Sequence, residues 1–379
     1  MRITPKIFIS AALCAALLTP ALAAAPGSSA QSCILLHADT GTALYEHNAD
    51  SRMLVASTTK IMTAVVALEK CALSDMVKIT AASAGIEGSS MYLKAGEDYT
   101  LEQLLYGMML VSGNDAASAV AIHVAGSVEA FAGLMNRKAR ELSMDGSHFT
   151  NPHGLDEDGH YSTARDMAKL AVCAMSKPDF VRIVSTKSYT VGDRTYVNHN
   201  KLLRSCEGCL GLKTGYTKAA GRSLVSCVER DGMRLICVTL GDPNDWDDHA
   251  ALYDWAFANW RWAPISGMNP LSLPVISGEA ERVYVRPSDD ARVLMRAGEK
   301  PELHCELPRF VFAPVERGDV AGSVTLSVGG VVLGSGDLLY DAAVPLKRGM
   351  ELTPWERFKR IWAMAGRACG PYYLIGGKE

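Results

Sequence analysis

Ser57-Thr-Thr-Lys60-Ile-Met-Thr-Ala-Val-Val-Ala-Leu-Glu-Lys70 is the stretch from which the fold can be read. Its apolar residues recur at helical spacing behind a serine, so the pattern predicts a long helix opening at Ser57. Ahead of it, Cys33-Ile-Leu-Leu-His37 and Ala43-Leu-Tyr45 surround the turn Asp39-Thr-Gly41, which reads as a β-hairpin. Behind it, residues 101–109 and 116–125 carry helical spacing and flank Ser112-Gly-Asn114. Further helices are predicted over 128–142 and 163–175, strands over 210–214, 223–229 and 233–240, and a closing helix over 249–260. Strands first and last with helices between predict an α+β domain over 24–262, an antiparallel sheet with a helical cluster.

The regions outside that domain differ in texture. Arg2 and Lys6 form a basic start, residues 7–18 are an apolar run, and Ala21-Leu-Ala23 is a small-residue cleavage site, so 1–23 reads as a signal peptide. The run is too short for a bilayer, which needs about 20 residues. Residues 263–273 are rich in Pro, Gly and Asn and read as a linker. Over 274–350 short β-type runs (Arg282-Val-Tyr-Val, Arg292-Val-Leu-Met) alternate with turns, predicting a small all-β, sandwich-like domain without a catalytic cluster. Thr353-Pro-Trp-Glu356 is a helix start with a capping box. Over 353–369, Trp355, Phe358, Ile361, Trp362 and Ala365 share one face, with Arg357, Lys359, Arg360 and Arg367 on the rest. That distribution suits an amphipathic helix lying on an anionic membrane surface.

Composition limits function. The 379 residues carry 38 basic and 41 acidic side chains, and the net charge of -3 gives no basic field for nucleic acid. Nine cysteines remain after the signal peptide, an odd number, so they cannot all pair internally. Cys206-Glu-Gly-Cys209 lacks a second pair or histidines at zinc spacing. If Asp231-Gly232 makes a two-residue turn, Cys227 lies opposite Ile236 and Cys237 opposite Ser226, so those two sulfurs face opposite sides of the sheet. No metal or cofactor is expected.

Three motifs carry chemistry. Ser57 and Lys60 share a helix face, and a lysine made neutral by burial or a nearby cation can serve as base to a serine at a helix start. Ser112-Gly-Asn114 follows 55 positions later, placing a hydroxyl and an amide between two helices. Lys213-Thr214-Gly215 lies 101 positions beyond Ser112 on a predicted strand, where a cation and a hydroxyl suit a carboxylate and the glycine leaves room for an extended substrate.

At these motifs, in this order, the chain resembles the penicillin-recognising serine acyltransferases, and most of all the low-molecular-mass penicillin-binding proteins that are D-alanyl-D-alanine carboxypeptidases. Leu110-Val-Ser-Gly-Asn-Asp-Ala-Ala117, Phe149-Thr-Asn-Pro-His-Gly-Leu155 and Gly211-Leu-Lys-Thr-Gly-Tyr-Thr217 extend the resemblance, which covers about 32–262. It implies Ser57 as acylated nucleophile, Lys60 as base and Ser112 as proton relay to the leaving D-alanine. Asn114 would hold the substrate amide, Lys213 and Thr214 the terminal carboxylate, and backbone N–H groups of Ser57 and Tyr216 the oxyanion. Peptidoglycan stem peptides are then the substrate and β-lactam antibiotics covalent inhibitors, at the outer face of the cytoplasmic membrane.

One departure concerns the carboxylate. Several members of the family carry an arginine downstream of Lys-Thr-Gly, whereas Asp242-Pro-Asn-Asp-Trp-Asp-Asp-His249 has none, so His249 is a candidate substitute, with a surface helix-start histidine as the alternative. The segment resembles the branch found in spore-forming Gram-positive bacteria. His153 and His160 are expected to be structural. Rival activities are a D,D-endopeptidase on cross-links and a serine β-lactamase, which needs a glutamate that residues 142–155 lack. A non-catalytic wall-binding module is opposed by the intact set of Ser57, Lys60, Ser112 and Lys213.

Overall fold

The computed structural model describes residues 24–265, 271–289, 291–296, 298–299, 301–328 and 331–347, and 354–356, 358–359 and 362 near the C-terminus. The signal peptide reading over 1–23 lies outside the described residues. The chain divides into a unit at Ala25–Arg261 and a second that includes Trp262–Glu379.

The first unit runs β1 (Ser32–His37), β2 (Ala43–His47), a 3-10 turn (Ala56–Thr59), α1 (Lys60–Lys70), β3 (Met76–Lys78), β4 (Asp98–Thr100), α2 (Leu101–Leu110), α3 (Asn114–Ala125), α4 (Val128–Glu141), α5 (Ala164–Met175) and α6 (Pro178–Ser185). It continues through the hairpin β5 (Ser188–Val191) and β6 (Arg194–Val197), then α7 (Leu202–Ser205), β7 (Cys209–Thr217), β8 (Gly221–Arg230), β9 (Met233–Leu240) and α8 (Asp245–Asn259). The main sheet has the order β2-β1-β9-β8-β7, all antiparallel, so the first hairpin closes on the last strands as an α+β domain requires. Asp231 and Gly232 both have positive φ (49° and 72°), as a two-residue hairpin turn of this hand demands. The register then pairs Ser226 with Cys237 and Cys227 with Ile236.

The sheet has two differently packed faces. Ile34, Leu36, Val225, Cys227, Ile236 and Val238 join the main core with Ile61, Met62 and Val65 of α1, Leu104 and Met108 of α2, Val120 of α3 and Phe131 of α4. α8 lies against β8 and β9 on the other face, where the Tyr253 hydroxyl lies 2.8 Å from Ser226 Oγ and accepts from Cys237 N. Local signals set the helix starts: Thr100 and Gln103 form a reciprocal capping box on α2, and Thr163 caps α5. α6 and the β5–β6 hairpin were not read from sequence; each is short and half-exposed, so its periodicity is weak.

β10 (Trp260–Pro264) starts at the boundary, and the second unit continues with β11 (Leu271–Ile276), β12 (Arg282–Pro287), β13 (Arg292–Arg296), β14 (Glu302–Glu306), β15 (Val311–Phe312), β16 (Val320–Val328) and β17 (Val331–Tyr340). Six of these form a sheet of order β14-β16-β17-β12-β11-β15, with buried clusters around Leu273, Val283 and Tyr340 and around Val293, Val324 and Leu338. The linker reading over 263–273 is corrected at both ends, since β11 already begins at Leu271. Trp260–Pro264 is a strand paired with β13, because aromatic and apolar residues there outweigh the proline that ends it. Near the C-terminus Pro354, Trp355, Glu356, Phe358, Lys359 and Trp362 are helical and exposed; the rest of the helix expected over 353–369 lies outside the described residues.

Candidate active site

Ser57 sits in the 3-10 turn, one step ahead of α1, rather than inside the α-helix that the pattern predicts. The tighter turn leaves the i, i+3 relation intact, and Lys60 Nζ lies 2.8 Å from Ser57 Oγ. Lys60 is fully buried, and its Nζ is also 2.7 Å from Asn114 Oδ1 and 2.7 Å from His153 O. Burial and then the nearby Lys213 ammonium hold the Lys60 amine well below the ordinary lysine range, against a smaller opposing pull from Asp115. The two carbonyl oxygens can only accept, so each takes an N–H of Lys60, whose third hydrogen-bond partner is the Ser57 hydroxyl.

The second motif reaches the first through Asn114. Ser112, 6% exposed, adopts φ 63° at the turn between α2 and α3. Asn114 opens α3 and donates through Nδ2 to Glu87 O at 2.5 Å while its own N–H reaches Ser89 O. The third motif lies on β7, an edge strand. Lys213 is 1% exposed, donates to Thr214 O at 2.9 Å, and is pushed down to about 7 by burial. A β-carbon built on Gly215 would stand 3.1 Å from Val55 O and 3.2 Å from Ser57 N, so β7 passes directly beside the turn that carries Ser57. Tyr216 follows, 67% exposed.

His249 is not part of this site. It is fully buried on α8, with Nδ1 2.7 Å from Ser226 Oγ and Nε2 3.0 Å from Thr239 Oγ1. Lys213 pairs with Val225, so Ser226 and its partner Cys237 belong to the opposite face of the sheet. The sheet separates His249 from the groove, and burial pushes the imidazole down to about 3, keeping it neutral. Both sequence-level readings of His249, as a carboxylate ligand and as a surface residue, are corrected by this burial.

Several site residues escaped sequence reasoning. The buried Asp115 carboxylate accepts from Ser90 Oγ (2.6 Å), Met91 N (2.9 Å) and Leu93 N (3.0 Å), tying the 88–93 loop to the start of α3. The loop at 151–155 delivers His153 O to Lys60: Asn151 Oδ1 accepts from Gly154 N, and Pro152 O accepts from Thr63 Oγ1 of α1. His160 Nε2 lies 2.8 Å from Thr59 Oγ1, so this histidine braces the residue before Lys60. Asn151-Pro-His-Gly154 belongs to the family resemblance, but a backbone carbonyl leaves no mark in a sequence.

The family model described as D-alanyl-D-alanine carboxypeptidase matches residues 19–244. The chain belongs to that family. It is 32% identical over 324 residues to D-alanyl-D-alanine carboxypeptidase DacF of Bacillus subtilis, an overlap of 80% of this chain and 83% of the relative. Identity to D-alanyl-D-alanine carboxypeptidase DacA of Escherichia coli K12 is 30% over 377 residues, covering 91% and 93%. The solved structure of penicillin binding protein 5 from Haemophilus influenzae superposes with a TM-score of 0.70 at 31% identity, over 85% of this chain and 99% of that one. As a member of the D-alanyl-D-alanine carboxypeptidases, the chain brings Ser57, Lys60, Asn114 and the Gly215 backbone together.

Proposed function

We propose that this protein is a serine-type D-Ala-D-Ala carboxypeptidase that removes the terminal D-alanine from peptidoglycan stem pentapeptides through an acyl-Ser57 intermediate. The observation that carries the reading is the buried Lys60 amine, 2.8 Å from Ser57 Oγ with its two N–H bonds matched to carbonyl oxygens. Ser57 passes its proton to Lys60 as Oγ attacks the penultimate carbonyl carbon. The oxyanion is received by the N–H groups of Ser57 and Tyr216, each donor worth about 2.7–4 kcal/mol. Ser112 conveys a proton to the leaving amine. Asn114 Nδ2, with one N–H on Glu87 O, has a second for the substrate carbonyl. Lys213 and Thr214 bind the terminal carboxylate, and water then hydrolyses the ester. β-Lactams acylate Ser57 by the same step.

The enzyme acts outside the cytoplasmic membrane. Among the described residues no single helix is long and apolar enough to cross a bilayer. Trp355, Phe358 and Trp362 are 62%, 50% and 72% exposed, and their rings stack in series. Such a run supports a C-terminal helix lying in an anionic membrane surface. Activity is tested with diacetyl-Lys-D-Ala-D-Ala and with a cross-linked muropeptide dimer. Release of D-alanine from the first, lost in Ser57→Ala, is the expected result; cleavage of the dimer alone would make the protein an endopeptidase.

A further inference from the structure

Far from the groove, the helices that carry Lys60 and Asn114 end beside each other. Cys71 caps the C-terminus of α1, His123 lies in the last turn of α3, and Asp75 follows in the turn after α1. The Cys71 sulfur, an Asp75 carboxylate oxygen and a His123 ring nitrogen all lie within 4.8 Å of one another. Among the described residues no other group of His, Cys, Asp and Glu side chains meets at this spacing. At about 1.5 Å rise per residue, Cys71 is roughly 16 Å from Lys60 and His123 roughly 14 Å from Asn114 along their helices.

We propose that Cys71, Asp75 and His123 bind one Zn²⁺ ion that clamps the C-terminal ends of α1 and α3 together. The donor set of thiolate, imidazole and carboxylate matches a borderline-soft divalent cation. With zinc–ligand distances of about 2.0–2.3 Å, tetrahedral ligand atoms stand about 3.3–3.8 Å apart, so contraction by about an ångström completes the site. Three protein ligands leave a fourth position for water. Asp75 is already oriented: its Oδ2 accepts from Ala72 N at 3.0 Å, and Asp75 N donates to Ala72 O. That hydrogen bond leaves the other carboxylate oxygen for the ion. Both helices also direct their C-terminal carbonyls toward this end, a partial negative charge that favours a cation. On binding, the Cys71 thiol releases one proton to solvent, and thiolate plus carboxylate neutralise the ion. Cys206 and Cys209 are engaged otherwise, with Arg230 Nη2 3.6 Å from Cys206 Sγ and Cys209 Sγ directed at Gly211 O.

The test is a Co²⁺ titration of the metal-stripped mature protein, with Zn²⁺ as competitor. One equivalent should produce a thiolate-to-cobalt charge-transfer band and tetrahedral d–d bands, and Zn²⁺ should erase both and raise the melting temperature. Cys71→Ser should lose the charge-transfer band and the Zn²⁺-induced shift, while its unchanged fluorescent-penicillin acylation shows it folded. His123→Ala and Asp75→Asn should each weaken binding at least about tenfold. The Cys206→Ser/Cys209→Ser variant should bind as wild type does. A band that is absent in wild type, survives Cys71→Ser, disappears with Cys206 and Cys209, or ignores His123→Ala would overturn the site.

Discussion

Replacing Gly154 by alanine asks how closely the 151–155 loop is fitted to the turn that carries Ser57. Gly154 has φ 84°, and a β-carbon there would stand 1.9 Å from Ala56 O and 2.7 Å from Thr59 Oγ1. Ordinary contact begins at 3.4 Å, so the loop and the turn must separate by about 1.5 Å. His153 O, one residue away and 2.7 Å from Lys60 Nζ, moves with the loop, while Ala56 precedes Ser57. A misplacement of about 1 Å at a reacting centre costs on the order of 100-fold in rate, so acylation should fall at least that far. Stability should fall by about 2–5 kcal/mol, the sum of left-handed backbone in a non-glycine residue and overpacking. Gly159→Ala is the control. Its φ is 82°, but the nearest atoms are 3.8 Å from the added carbon, so it bears the backbone cost of about 1–2 kcal/mol alone and should acylate nearly normally. The assay is the second-order rate of labelling by fluorescent penicillin, run beside thermal melting. Wild-type labelling by Gly154→Ala, or an equal loss in Gly159→Ala, would refute the fit.

Lys60→Arg puts a guanidinium that stays protonated where a base is needed, so labelling should drop by orders of magnitude in a protein that still melts cooperatively; near-normal labelling would move the base elsewhere. Lys213 is lowered from 10.5 to about 7, so between those values the folded state binds fewer protons than the unfolded one, and unfolding free energy rises with pH across the window. Lys213→Met should therefore stabilise the protein most below pH 7, by about 3–6 kcal/mol, and least near pH 10. Denaturant melts at pH 6 and pH 9 check this, and an equal gain at both would be contrary. For the C-terminus, the mature protein should float with anionic vesicles, weakened by salt, and a version ending at Leu352 should not; equal behaviour of the two would remove the anchor.

How much could be read in the chain varies with the kind of signal. Strand alternation and the Asp231-Gly232 turn gave the pairing of Cys227 with Ile236 to the residue, because register follows from turn length. Ser57, Lys60, Asn114 and Lys213 stand out in the chain because each belongs to a spaced motif, and the fold brings Ser57, Lys60 and Asn114 within hydrogen-bond distance. Asp115 was not: a carboxylate in the first turn of a helix reads as a dipole partner, and only the fold brings Ser90, Met91 and Leu93 to it. His249 misled for a related reason. Its place in sequence suggested a carboxylate ligand, but whether a residue faces the groove depends on which side of the sheet α8 packs. The Cys71, Asp75 and His123 cluster has no sequence motif either, since α1 and α3 meet only through tertiary packing.

The proposed acylation of Ser57 is tested most directly by mapping the adduct. Mature protein is incubated with penicillin, digested and sequenced by mass spectrometry, with D-alanine release from diacetyl-Lys-D-Ala-D-Ala measured in parallel. A single penicilloyl group on Ser57, with labelling and D-alanine release both abolished in folded Ser57→Ala, is the predicted result. An adduct on Ser112 or any other serine, or D-alanine release that persists without Ser57, would contradict it.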